Sequence, residues 1–142
     1  LRPFYETSSQ RSNEELIARY VATRWDCKII RMKTAFPVDY MLKRPSGSVF
    51  AEIKHRDYSM DAMDRMGGVF ISLLKWGTAK NLCEVAACPL IVIVRDGLGG
   101  TYWYRTSDFS HDGIGYGGRT DRNDDQDCEP VVLLRKDRFR KL

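Results

Sequence analysis

Six residues set the frame for this chain: Pro89-Leu90-Ile91-Val92-Ile93-Val94 is an unbroken apolar run of strand length. A strand that faces solvent on one side alternates apolar with polar residues, whereas a continuous run belongs to a strand covered on both faces. Something must therefore pack on each side of the sheet that holds it. Two stretches with helical spacing can do so. Ser12 or Asn13 is positioned to cap a helix over residues 14–25, in which Ile17, Tyr20, Val21 and Trp25 share one stripe. From Met60 onward helical spacing returns, with Val69, Phe70, Leu73 and Leu74 on one side, while Gly67-Gly68 delays the helix start or bends it.

Between these helices, residues 27–32, 38–42 and 48–54 read as three strands, the last two joined through the turn Pro45-Ser46-Gly47-Ser48. After 89–94, the turn Asp96-Gly97-Leu98-Gly99-Gly100 leads into Thr101-Tyr102-Trp103-Tyr104, giving a second hairpin. Residues 111–129 read as a Gly- and Asp-rich loop, 131–134 as a last strand and 135–142 as a basic tail. The order helix, three strands, helix, strands predicts one α/β domain over residues 1–142, with a central mixed sheet flanked by helices. A length of 142 residues suits one domain, and no run approaches the ~20 consecutive apolar residues of a membrane span. No apolar signal core opens the chain, and Cys27, Cys83, Cys88 and Cys128 form no CxxC pair, so a reduced, cytoplasmic setting is expected. The net charge is +4, and its distribution is uneven: residues 1–80 carry 14 Lys/Arg against 9 Asp/Glu, and residues 81–142 carry 9 against 10. That balance permits a nucleic-acid partner without arguing for one.

The first hairpin holds the chemistry. If residues 45–48 form a four-residue loop closed by Arg44 and Val49, Asp39 pairs with Lys54 and Met41 with Glu52. Asp39, Glu52 and Lys54 then share one face of the sheet, Glu52 diagonally across from Asp39. A register slip of one residue would scatter them. Two ionised carboxylates ~4–5 Å apart repel by roughly 1 kcal/mol in water and about 4 at an effective dielectric of 20, so a partly buried pair calls for a cation. A hard divalent ion answers that need: Mg2+ takes one or two carboxylates and binds phosphate oxygens of a substrate. Lys54, two residues after Glu52, projects where it can stabilise charge developing on a phosphate or help activate the attacking water.

Phe36-Pro37-Val38-Asp39-Tyr40, a hairpin turn, and Val49-Phe50-Ala51-Glu52-Ile53-Lys54 resemble the D…ExK core of the PD-(D/E)XK nuclease superfamily, which includes restriction endonucleases, resolvases and phage exonucleases. The order of elements over residues 13–94 is also that of the superfamily's restriction-endonuclease-like core. More narrowly, Tyr5-Glu6-Thr7, Arg11, Asn13-Glu14, Glu52-Ile53-Lys54-His55-Arg56, Ile71-Ser72-Leu73 with Lys75, and Gly117-Gly118-Arg119-Thr120-Asp121-Arg122 resemble small nuclease-like proteins of tailed bacteriophages. The resemblance implies a metal-dependent deoxyribonuclease using Mg2+, with Mn2+ able to substitute, and a place in the host cytoplasm if the gene is a phage's. It implies Asp39, Glu52 and the Ile53 carbonyl as metal ligands, Lys54 as the residue that orients or activates water, and a further acid from the first helix. Of the two acids there, Glu14 lies about 60° from Ile17 and Glu15 about 160° away, at ~100° per residue, so Glu14 is the one able to approach the sheet.

Other residues carry weaker signals. Arg56 is either a phosphate contact or a rim charge. Lys75 falls roughly opposite the apolar stripe read for its helix, which leaves a solvated lysine and a DNA-phosphate contact both open. Arg119 and Arg122 can reach a DNA backbone from the late loop. Within that loop, Asp121-Arg122-Asn123-Asp124-Asp125-Gln126-Asp127 fails the EF-hand pattern, because Gln126 stands at the turn-glycine position and Val132 at that of the bidentate Glu. Cutting both strands of a duplex favours a homodimer, since one site cuts one strand. The competing function is a non-catalytic nucleic-acid-binding or phage assembly protein that keeps the nuclease fold.

Overall fold

A computed structural model describes residues 8–118 and 128–142. The first described element is α1 (Ser8–Trp25), followed by β1 (Lys28–Arg31), β2 (Tyr40–Arg44) and β3 (Gly47–His55). Next come α2 (Met60–Arg65), β4 (Val69–Ser72), α3 (Leu73–Ala86), β5 (Leu90–Arg95) and β6 (Thr101–Thr106). The chain ends with β7 (Ile114–Gly118), β8 (Cys128–Leu134), a 3-10 turn (Lys136–Arg138) and β9 (Arg140–Lys141). The main sheet has the order β1-β2-β3-β5-β6-β9, and a three-stranded sheet has the order β4-β8-β7. Among the described residues only β3 and β5 pair in parallel, with Glu52 beside Val92 and Lys54 beside Val94.

Strand β5 is covered on both faces, as its apolar run requires. Ile91 and Ile93 join Tyr40, Leu42, Ala51 and Ile53 under Ile17, Ala18 and Val21 of α1. Leu90, Val92 and Val94 join Phe50 on the other face, where Met60 and Met63 of α2 and Trp76, Ala79 and Cys83 of α3 complete a second core with Val69, Ile71, Val132 and Leu134. One sheet thus separates two hydrophobic layers, and alternate residues of each central strand are committed to opposite layers.

Helix α1 runs back through Ser12 and Asn13 to Ser8, so these two are helix interior rather than caps: no Gly or Pro interrupts residues 8–25. It ends where Asp26 turns left-handed (φ +48°) and the Cys27 N–H donates to the Ala22 carbonyl. Tyr20 lies outside the buried stripe, exposed beneath the guanidinium of Arg95, and Trp25 is half-buried edge-on to Trp103.

Three further expectations are corrected. The first hairpin pairs Tyr40 with Ala51 and Arg44 with Gly47, so its loop is two residues, Pro45-Ser46, and the register moves by two. Because the shift is even, every side chain keeps its face. The stretch after Met60 is not one helix. Gly67 (φ +110°) and Gly68 (φ +129°) stop α2, and Val69–Ser72 is a strand whose Val69 and Ile71 are buried and whose Phe70 is exposed. The late segment is not wholly loop: Ile114–Gly118 is a strand, β8 starts at Cys128, and the basic tail returns to pair Lys141 with Tyr102 on β6. Among the described residues, no helix is long and apolar enough to cross a membrane.

Candidate active site

The site lies on the α3 side of the main sheet, where β2 begins, β3 ends and α3 starts. The β2–β3 ladder stops at Tyr40–Ala51, and there the Asp39 N–H donates to the Ala51 carbonyl while its Oδ2 accepts from the Ile53 N–H at 2.9 Å. That backbone bond fixes the Asp39 carboxylate against β3. Glu52, on the same face, is 2 % exposed. Its Oε1 lies 3.0 Å from Lys54 Nζ and 2.7 Å from Lys75 Nζ, and its Oε2 is shielded from solvent and meets no hydrogen-bond donor among the described residues. Lys75 Nζ is also 3.3 Å from Asp39 Oδ1. Two carboxylates and two ammonium groups therefore form one half-buried cluster.

The two acids are driven apart electrostatically. For Asp39, burial favours the neutral form but is outweighed by the charges of Lys75 and Lys54 and by the Ile53 N–H, which hold the carboxyl below its ordinary value. For Glu52, burial dominates, the Asp39 charge adds to it, and the carboxyl is pushed up despite both lysines. Burial alone would lower Lys75, but Glu52 and Asp39 reverse the effect and raise it.

Lys75 reaches the cluster because α3 starts later than its sequence suggests. The buried stripe of the helix is Trp76, Ala79 and Cys83, whereas Leu73 and Leu74 are exposed. Relative to that stripe Lys75 is about 70° away, at ~100° per residue, and not opposite it. Ser72 anchors this start: its Oγ caps α3 by accepting from the Lys75 N–H and contacts Glu129 Oε2 at 3.2 Å. The sequence signal for both residues was the Gly67-Gly68 break followed by the alternating Val69-Phe70-Ile71-Ser72.

The remaining candidates lie around this cluster. Glu14 is half-buried on α1, and its charge, after burial, contributes to the raised value of the Tyr40 phenol. Glu15 is more exposed and contacts Arg31 at 3.4 Å. Among the described residues no three His, Cys, Asp or Glu side chains gather closely enough to hold an ion, so Glu14 does not complete a three-acid cage with Asp39 and Glu52. Arg56 stacks its guanidinium over the Phe70 ring at 4.6 Å and donates to the Phe70 carbonyl, tying β3 to β4. Arg119, Arg122 and the Asp121–Asp127 loop lie outside the described residues.

A mixed sheet of this order, helix-covered on both faces and with an acid just before β2 beside one on β3, is the arrangement expected of a restriction-endonuclease-like core. The chain belongs to the nuclease family described as "Phage putative PDDEXK endonuclease", which matches residues 1–142. Among solved structures it is similar to Archaeoglobus fulgidus Hjc, a Holliday junction resolvase from an archaeal hyperthermophile. The two share 13% identity over 64% of this chain and 70% of that one, with a TM-score of 0.49. No curated protein matches the chain.

Proposed function

We propose that this chain is a Mg2+-dependent deoxyribonuclease, able to use Mn2+, that hydrolyses DNA phosphodiester bonds through Asp39, Glu52, the Ile53 carbonyl and Lys54. The observation that carries the reading is the convergence of two acids on one ammonium: Glu52, 2 % exposed, and Asp39 lie 2.7 and 3.3 Å from Lys75 Nζ, and Glu52 Oε2 meets no donor among the described residues. Such an oxygen has lost its hydration and needs a donor or a cation. The donor set is all oxygen, two carboxylates and the carbonyl between Glu52 and Lys54, which suits a hard divalent ion. When bound, that ion supplies charge neutralisation and Lewis-acid polarisation of the phosphate.

The chain's own groups do the rest. The Ile53 N–H keeps Asp39 turned toward Glu52, so the two acids are held in place before substrate arrives. Lys54 projects from the same face as Glu52, where its ammonium donates to a water or to the phosphoryl oxygens as negative charge develops. Glu14, at the margin, would hold a second ion or a water-bridged network. Plasmid and single-stranded DNA incubated with Mg2+ or Mn2+ test the reading. Asp39→Asn and Lys54→Ala are each expected to lose about 10²-fold or more in rate, and chelation by EDTA is expected to abolish cleavage. Wild-type rates in both variants would sink the assignment.

A further inference from the structure

The position of Lys75 goes beyond both parts left open for it, a solvated lysine and a DNA-phosphate contact. Its ammonium touches both acids, 2.7 Å from Glu52 Oε1 and 3.3 Å from Asp39 Oδ1, while Lys54 contacts Glu52 at 3.0 Å from within the strand. Lys75 therefore bridges the two carboxylates and occupies the space beside them. A divalent ion bonded to those oxygens would need the same space, and two cations cannot share it.

We propose that Lys75 is a stand-in cation: it neutralises Asp39 and Glu52 until a divalent ion binds, gives way to that ion, and then turns to the phosphate of the DNA. The inference rests on the metal-site reading above. Charge counting supports it. With both acids ionised and no ion bound, two carboxylates face two ammonium groups and the cluster is balanced. With a divalent ion added the cluster has an excess of two positive charges, which repels the group nearest the ion and attracts a phosphate. The construction of the arm supports it as well. Lys75 enters from the first turn of α3, whose start is fixed by the Ser72 cap, so the backbone is anchored while four methylenes leave the ammonium free to swing. Lys54 lacks that freedom of approach because it shares a strand with Glu52.

The experiment separates failure of this inference from failure of the site reading. Mn2+ affinity is measured by electron paramagnetic resonance of the free ion for wild type, Asp39→Asn and Lys75→Met. If Asp39→Asn leaves the affinity unchanged, the metal site itself is misassigned and the inference falls with it. With Asp39 dependence established, Lys75→Met is expected to bind Mn2+ about tenfold more tightly, since the competing ammonium is gone. Unchanged or weaker binding overturns the inference. With Ca2+ as the probe ion, the same variant is expected to bind a short DNA duplex more weakly and with a salt dependence shallower by about one phosphate contact. Metal and DNA affinities moving in the same direction would mark Lys75 as merely structural. A third measurement needs no variant. Acetic anhydride should acetylate Lys75 slowly in the metal-free wild type and several-fold faster at saturating Mn2+, with exposed Lys80 as the internal standard. A Lys75 rate indifferent to Mn2+ overturns the inference.

Discussion

Asp39 and Glu52 contact the same lysine, yet their surroundings push them in opposite directions, and this sets opposite pH dependences. Asp39 is held below its ordinary value, so its interactions stabilise the fold above the unfolded-state pKa of about 3.9 and fade as pH falls through the lower folded value. Glu52 is pushed up, chiefly by burial. Its contribution is fully present below about 4.3 and is lost as pH rises through the higher folded value. In chelated buffer, the Tm difference between Glu52→Gln and wild type should therefore move in favour of the variant as pH rises above the ordinary glutamate value. For Asp39→Asn it should move against the variant as pH rises toward 3.9 from below. Parallel slopes in the two thermal series would contradict this account. At this scale Asp39, Glu52 and Lys54 were legible in sequence because strand periodicity is two, and a register error of two leaves faces intact. Lys75 was not legible in the same way, because a helical phase depends on where the helix starts, and that start was misplaced.

Elements were legible where local pattern and tertiary demand agree. The run at 90–94 became the doubly covered β5, and Ile17 and Val21 became the buried stripe of α1. The segment after Met60 failed because its apolar residues fit two periods at once, and two glycines decided between them. Gly68 is the sharper of these. At φ +129° it adopts backbone that side chains rarely enter, and a Cβ there would stand 2.6 Å from the Leu134 carbonyl oxygen, backbone that cannot swing aside. The glycine is thus the condition for laying β4 against β8 and for starting α3 at Leu73. Gly68→Ala is expected to cost about 3 kcal/mol, which for a chain of this size lowers Tm by about 10 °C. It should also weaken catalysis by displacing Ser72 and Lys75. Differential scanning fluorimetry together with DNA cleavage checks both, and an unchanged Tm would mean that β4 and β8 separate without cost. Strands β7 and β9 were hidden for another reason: Gly-rich and basic segments acquire strand geometry from the edges they pair with, not from their own propensity.

Across the whole molecule, the C-terminal segment links parts that are distant in sequence. After β8 the chain passes α2, where Arg135 meets Asp64 at 3.0 Å and Lys136 meets Asp61, then reaches β6, where β9 covers part of the edge. Asp112 is the hub. Its carboxylate accepts from the Arg135 N–H at 2.7 Å and takes a fork from Arg138, 2.6 Å from Nε and 3.0 Å from Nη2, while Arg138 also reaches Tyr104 and Ser110. The small sheet, the β6 edge and the tail are thereby fastened through one side chain. Paired hydrogen bonds to a charged partner resist exchange with water better than a single surface ion pair, although the site is exposed enough for screening to reduce its worth. The Arg138 hydrogen bonds, aided by the Arg135 N–H, hold Asp112 below its ordinary value against the opposing effect of desolvation. Its stabilisation is therefore present above the unfolded pKa of about 3.9 and is lost as pH falls through the folded value. Asp112→Asn should lower Tm by a few degrees at neutral pH, about 1 kcal/mol, and the two melting curves should converge in acid. Because the hub is separate from the Asp39–Glu52 cluster, the variant should keep the Mn2+ affinity proposed for that cluster. A loss of Mn2+ affinity in Asp112→Asn would mean that the tail and the site act as one unit, whereas a Tm deficit that persists unchanged into acid would assign the stabilisation to packing rather than to the carboxylate charge.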